Sequence, residues 1–201
     1  MGIKYMKKIE YVWNHLLYEA LEKRNFSFGQ QELAQELHLS SSTIHLAIQP
    51  LRRMGAVRIG KRHSEVIDAE KILYHWANHH RLQPTLQMRV NLPVTEIEGL
   101  LPDQTLPTAY TALRERFGEP PTDYDKVYCY HRDPSVVGQR FEGHRTNGPL
   151  NLFVLLADER LYTYRSQVTL GHMFVDLWNL PDWYAKDAVT FVKGKIDAIL
   201  S

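Results

Sequence analysis

The sequence predicts an α+β fold in two domains: a helix-turn-helix with a small hairpin over residues 1–83, then a mixed α+β domain over 84–201. Two observations predict the first domain. Leu33, Ala34 and Leu37 line one short helix, and Ile44, Ala47, Ile48 and Leu51 line the next at i, i+3, i+4 and i+7, so each offers an apolar face to the other. Residues 56–67 then alternate weakly about Gly60-Lys61-Arg62-His63, as two short strands and a turn do. The second domain rests on a near-continuous apolar run from Asn151 to Ala157, bounded by turn residues, which reads as a buried strand.

In chain order, Lys4 to Arg24 is a helix, because Met6, Ile9, Trp13, Leu16, Leu17, Ala20 and Leu21 recur on one face. Residues 25–29 break that period. Gln31 to Leu37 is the first short helix, and His38 occupies the turn after it, where a positive φ is often needed and His is enriched. Leu39 fills the elbow, Ser40 is the N-cap of a helix running to Met54, and Gly55 stands where a left-handed C-cap falls. Asp68 caps a further helix through Arg81. Gln83-Pro84 marks the boundary, after which proline and tyrosine become frequent. Pro93 to Leu101 and Thr108 to Phe117 read as helices, the latter stopped by Gly118 and Pro120-Pro121. Lys126 to His131 reads as a strand, and Leu161 to Tyr164 as a partner of the 151–157 strand. Ser166 to Asn179 and Asp182 to Leu200 are two closing helices separated by Pro181.

Composition excludes several classes. The single cysteine, Cys129, rules out an internal disulfide and fits a reducing cytoplasm; it falls in a predicted strand between tyrosines, as a buried structural thiol does. No run approaches the ~20 apolar residues of a membrane span. The first residues are charged and amphipathic, so no signal peptide is expected. Net charge is +4 over residues 1–83 and −3 over 84–201, which gives the two parts different electrostatic preferences.

The cationic part carries the binding residues. With Ile44, Ala47, Ile48 and Leu51 turned inward, Ser41, Ser42, Thr43, His45, Gln49, Arg52 and Arg53 point outward. Short hydroxyls at a helix N-terminus bond phosphate together with the free backbone N–H groups. His45 and Gln49 are long enough to reach base edges in the major groove. Arg58, Lys61, Arg62 and His63 on the hairpin suit contact with the phosphate backbone. The segment from Phe26 to Asp68, with its Leu-Ser-Ser-Ser-Thr-Ile elbow and Leu-x-x-x-Gly-Ala-Val, resembles the winged helix-turn-helix of bacterial and archaeal transcriptional regulators. Pro50 inside the second helix, and the lack of Arg or Lys on its first two turns, depart from that pattern. The resemblance implies binding to double-stranded DNA as a homodimer.

Ala109-Tyr-Thr-Ala-Leu-Arg-Glu-Arg-Phe117, the strand at 151–157 and the later Gln167-Val-x-x-x-x-x-Phe-Val-Asp-Leu-Trp-Asn-Leu-Pro-Asp-Trp183 are similar to the C-terminal domain of AbiEi-type regulators, antitoxins of type IV toxin–antitoxin systems. Phe174 stands for that family's usual tyrosine, and Leu180-Pro181 replaces its glycines. The resemblance implies an autoregulating, antitoxin-like protein with a toxin or other protein partner. The alternative is an interaction module whose winged helix contacts protein and not DNA.

Catalytic chemistry is not expected: a Gly-rich phosphate loop, a Gly-x-Ser-x-Gly elbow and a Cys-x-x-Cys pair are all missing from the sequence. His75, His79 and His80 include an i, i+4 pair of the kind that binds zinc, but no glutamate follows the first histidine, and a helix C-terminus explains imidazoles equally well. No metal or cofactor is therefore expected. Asp176 lies off the stripe of Leu170, Met173, Phe174 and Leu177, and is expected to be solvated or paired with an arginine. The first helix, with Tyr5, Tyr11 and Tyr18 near its margins, is the candidate dimer surface.

Overall fold

A computed structural model of the chain describes residues 6–60, 63–118, 120–164 and 167–201. It is an α+β structure with two sheets. The first part runs α1 (Lys8–Glu22), β1 (Ser27–Phe28), α2 (Gln30–Glu36), α3 (Ser41–Arg53), β2 (Val57–Arg58), β3 (Ser64–Val66) and α4 (Ala69–His79). Its three strands are antiparallel in the order β1-β3-β2, with Phe28 opposite Ser64 and Arg58 opposite Glu65.

Local signals in the sequence act here as they should. The Ser40 hydroxyl accepts from the Thr43 N–H at 3.2 Å, starting α3. His38 has φ +50° and Gly55 φ +72°, so the turn before α3 and the cap after it are both left-handed. The Asp68 carboxylate accepts from Lys71 N–H at 2.9 Å and starts α4. That helix ends at His79, two residues earlier than expected, and His80 takes an extended backbone. The early exit lets His80 turn inward.

Helix α1 is buried on nearly every side. Its apolar stripe is extended by Tyr11, Val12 and Asn14, all buried, because it packs on α3 and α4 and also on α8 (Leu170–Trp178). The Trp13 indole donates to the Ala47 carbonyl of α3 at 2.9 Å, pinning the two helices. The expectation of a free dimer surface on α1 is therefore corrected. Tyr11 is only 2% exposed, and the Tyr18 ring packs 4.7 Å from that of Tyr164. Tyr5 lies outside the described residues.

The second part contains β4 (Leu86–Val90), α5 (Val94–Gly99), β5 (Leu106–Thr108), α6 (Ala109–Phe117), β6 (Val127–His131), α7 (Pro134–Phe141), β7 (Arg145–Thr146), β8 (Leu152–Leu156), α8 and α9 (Ala185–Leu200). Its sheet has the order β5-β6-β8-β4-β7; β6 and β8 are parallel and the other pairs antiparallel. Leu106, Tyr128, Tyr130 and Leu155 face α1, α6, α8 and α9, in a core that includes Trp13, Ile44 and Trp76 of the first part. Val127, Cys129, Leu152 and Val154 face Ile97, Val137 and Phe141 beneath α5 and α7. A strand covered on both faces reads as continuously apolar, which is why β8 was legible. Cys129 is buried, and burial pushes its thiol up to about 12.

Three expectations need correction. Leu161 to Tyr164 is not a strand beside β8 but part of a 3₁₀ turn, Glu159–Tyr164, whose Arg160 reaches back to α2. The penultimate helix starts at Leu170, capped by the Thr169 hydroxyl accepting from His172 N–H, rather than at Ser166, a residue outside the described set. Asp176 is neither solvated nor paired with arginine: it is fully buried among histidines and hydroxyls.

Candidate nucleic-acid interface and a buried polar centre

The outer face of α3 is uncovered among the described residues. Ser41, Ser42, His45, Gln49, Arg52 and Arg53 are exposed and Thr43 is half-buried. The hydroxyls are partly engaged with one another, since Ser40 Oγ lies 2.9 Å from both Ser42 Oγ and Thr43 Oγ1. Leu46, at 60% exposure, lies one turn before Gln49 on the same outward side. Sequence reasoning passed over it, although it falls off the 44-47-48-51 stripe. Arg58 and His63 are exposed on the hairpin, and Arg58 lies 3.4 Å from the Glu65 carboxylate across the ladder. Lys61 and Arg62 lie outside the described residues.

The turn that aims α3 is held from the second part of the chain. Arg160 Nε donates to the Leu37 carbonyl at 2.9 Å and Nη2 to the His38 carbonyl at 3.4 Å. Its guanidinium is set by an ion pair to Asp158 at 2.8 Å and lies 5.6 Å from the Tyr11 ring centroid. The C-terminal carbonyls of α2 thus gain a cationic partner.

A second constellation lies where α1, the end of α4, β6 and α8 meet. His80 Nδ1 is 2.6 Å from Glu10 Oε2, and the Trp76 indole donates to the same oxygen at 2.9 Å. On its other side His80 Nε2 lies 3.1 Å from Asp176 Oδ1. Asp176 Oδ2 accepts from the Thr108 hydroxyl at 2.6 Å, and Oδ1 accepts from the Tyr130 hydroxyl at 3.1 Å. His172 Nε2 is 3.5 Å from Asp176 Oδ2 and 3.2 Å from the Tyr130 hydroxyl. An open cleft of about 420 Å³ is lined by Lys7, Glu10, His80, Arg81, Gln83 and Tyr130, so the cluster is reached from one side.

Burial opposes charge on every member, and the partners decide the outcome. Burial lowers the His80 pKa, but Asp176 and Glu10 outweigh it and push it up to about 9. Burial raises Glu10, yet His80 and Trp76 bring it below the usual carboxylate value. Asp176 behaves alike, lowered against burial by the two histidines and Thr108. His172 is lowered by burial against the pull of Asp176. His80, His172 and Asp176 offer atoms within 4.8 Å of one another, a group able to hold a metal ion.

The candidate zinc pair fares differently. The His75 and His79 rings are 4.2 Å apart, but His79 Nδ1 is engaged with the His75 carbonyl at 2.7 Å. The structure draws the third histidine of that stretch, His80, into the centre instead. His172 and Asp176 were missed as a pair, although their i, i+4 spacing inside an otherwise apolar helix put both on one buried face.

Comparison with protein-family models, with curated proteins and with solved structures finds no match to this chain.

Proposed function

We propose that the chain is a winged helix-turn-helix protein that binds double-stranded DNA and acts as a transcriptional regulator. The observation that carries the reading is the uncovered outer face of α3, which presents Ser41, Ser42, His45, Gln49, Arg52 and Arg53 beside a hairpin bearing Arg58 and His63. The order α1-β1-α2-α3-β2-β3-α4, with a β1-β3-β2 sheet, supports the winged-helix reading. In it α3 enters the major groove, Arg52, Arg53 and Arg58 neutralise phosphates, and Lys61, Arg62 and His63 extend the hairpin along the backbone. His45 and Gln49 read base edges, and Leu46 packs on a thymine methyl. The autoregulating, antitoxin-like aspect rests on the sequence resemblance of residues 109–117, 151–157 and 167–183.

Fluorescence anisotropy against DNA upstream of the protein's own gene, across a salt series, tests this. With five cations on phosphate, log affinity should fall against log salt with a slope of about −4 to −5 per protomer. Arg62→Ala weakens binding on all sequences and makes the slope shallower by about one. Gln49→Ala changes sequence preference and leaves the slope in place. Binding that ignores salt, or none at low salt, overturns the reading.

One observation favours a second reading, in which α3 contacts protein. Leu46 is an exposed leucine at the centre of the face, and Arg58 already has a carboxylate neighbour. Leu46→Ala separates the two: it strongly weakens capture of a protein partner, whereas DNA binding loses one methyl contact and keeps its salt slope.

A further inference from the structure

The geometry points to a divalent transition-metal site, of the zinc class, formed by His80 Nε2, an imidazole nitrogen of His172 and the Asp176 carboxylate, with the Tyr130 hydroxyl or a water from the adjoining cleft as fourth ligand. It is independent of the nucleic-acid reading, since none of its residues lies on α3 or the hairpin.

Donor spacing is the first argument. His80 Nε2 to Asp176 Oδ1 is 3.1 Å, His172 Nε2 to Asp176 Oδ2 is 3.5 Å, and the Tyr130 hydroxyl is 3.2 Å from His172 Nε2 and 3.1 Å from Asp176 Oδ1. Bonds of ~2.0–2.2 Å at tetrahedral angles place ligand atoms roughly 3.3–3.5 Å apart. Each donor therefore already lies near this separation from at least one other, and His80, His172 and Asp176 offer ligand atoms all within 4.8 Å of one another.

The unpaired atoms are the second argument. Despite its closeness to Asp176, His80 Nε2 makes no well-directed hydrogen bond among the described residues, and neither does His172 Nδ1. His80 is 4% exposed and His172 is 0% exposed. Buried polar atoms nearly always have a partner, so His80 Nε2, which faces Asp176, marks a place for one; His172 Nδ1 is the unengaged nitrogen of a ring whose Nε2 lies by Asp176 and Tyr130.

Surrounding groups provide the third argument. Glu10 holds His80 Nδ1 at 2.6 Å, the carboxylate–histidine arrangement that keeps a proton on Nδ1 and leaves Nε2 as the nitrogen to face a metal once its own proton is lost. Glu10 is itself held by the Trp76 indole, and Asp176 by the Thr108 hydroxyl. Two carboxylates buried together favour a divalent cation. On binding, the Nε2 proton of His80 leaves to solvent through the cleft, and the cation takes its place between His80 and Asp176. Two imidazoles and one carboxylate, with no thiolate, select a borderline metal such as Zn²⁺ over Mg²⁺ or Ca²⁺. Cys129 is excluded because it lies on the opposite face of the sheet.

The test uses the full chain stripped with a chelator and titrated with Co²⁺. One equivalent should produce the visible absorption of four-coordinate Co²⁺, and Zn²⁺ should displace it. His172→Gln and the near-isosteric Asp176→Asn should each lose it, folding being checked by circular dichroism. Glu10→Gln should keep one equivalent with affinity lowered ~10–100-fold. His75→Gln should bind as the wild type does, excluding the His75–His79 pair. X-ray absorption on the Zn²⁺-loaded wild type needs no variant, and should report only nitrogen and oxygen ligands, two of them imidazole. Absence of saturable Co²⁺ uptake by the wild type overturns the site, as does unchanged uptake in folded His172→Gln or a single-imidazole spectrum.

Discussion

His75 sits on α4 with its ring 4.7 Å from that of Trp13 and 4.2 Å from that of His79. Its Nε2 is buried without a hydrogen-bond partner among the described residues. Burial, with the neighbouring His79 adding to it, lowers its pKa to about 4. In the unfolded chain an ordinary histidine titrates near ~6.5. The folded form therefore keeps His75 neutral while the unfolded form takes up a proton, and stability falls as pH drops from about 6.5 towards about 4. His75→Gln should remove this contribution, because glutamine does not titrate. Urea midpoints at neutral pH and at pH near 5 check it: the loss on acidification should be smaller in the variant. Equal losses in both proteins would mean that His75 charges freely in the folded state. The residue scale also explains why Asp176 was misread. A carboxylate between valine and leucine in a helical sequence gives no sign of the hydroxyls at Thr108 and Tyr130 that receive it from distant strands.

Among the elements, the α2–α3 pair has a backbone feature that can be tested. His38 bridges the helices at φ +50°, and its side chain is exposed. A non-glycine residue there costs about 1–2 kcal/mol, while glycine adds about 0.4–1 kcal/mol of unfolded-state entropy to be overcome. His38→Gly should therefore stabilise the chain by about 0.5–1 kcal/mol, and His38→Val should destabilise it. Chemical denaturation decides, and a destabilised glycine variant would contradict a left-handed turn. This pair was legible because its determinants are local: Leu33 and Leu37 face Ile44, Ala47 and Leu51 within one short stretch, and Ser40 and Gly55 punctuate it. The outward positions 41, 42, 45, 49, 52 and 53 followed from the same period. Strand β4 was equally local, with Leu86, Met88 and Val90 alternating against Gln87 and Arg89, and went unread beside Pro84. Strand β5 is only three residues long and contains Pro107, tolerated because β5 is an edge strand. The polar centre was not legible, since Glu10, His80, Tyr130 and Asp176 meet only after α1 is enclosed by both parts of the chain.

That enclosure sets the behaviour of the whole molecule. One buried cluster runs from Tyr11 to Ile196, and α1 is a wall it shares: α3, α4 and α8 all pack on it, and α4 and α8 also pack on each other. The approach of α1 to α8 is close at Gly171. A Cβ on Gly171 would stand 3.1 Å from both Cβ and Cδ1 of Leu17, a side chain that is itself fully buried. A larger residue there must push α8 away from α1 or force Leu17 off its rotamer, and such overpacking costs about 1–3 kcal/mol. Gly171→Val should thus destabilise the chain by about that amount, although the site belongs to the second part. The effect should not stay there, because moving α1 also disturbs the Trp13 bond to Ala47 in α3. Native-state hydrogen exchange distinguishes a shared core from two independent ones. With a shared core, slow amides of α3 and of β8 open with the same free energy in the wild type, and Gly171→Val lowers both equally. If α3 keeps its protection while β8 loses it, the two parts unfold separately and α1 belongs energetically to the first alone.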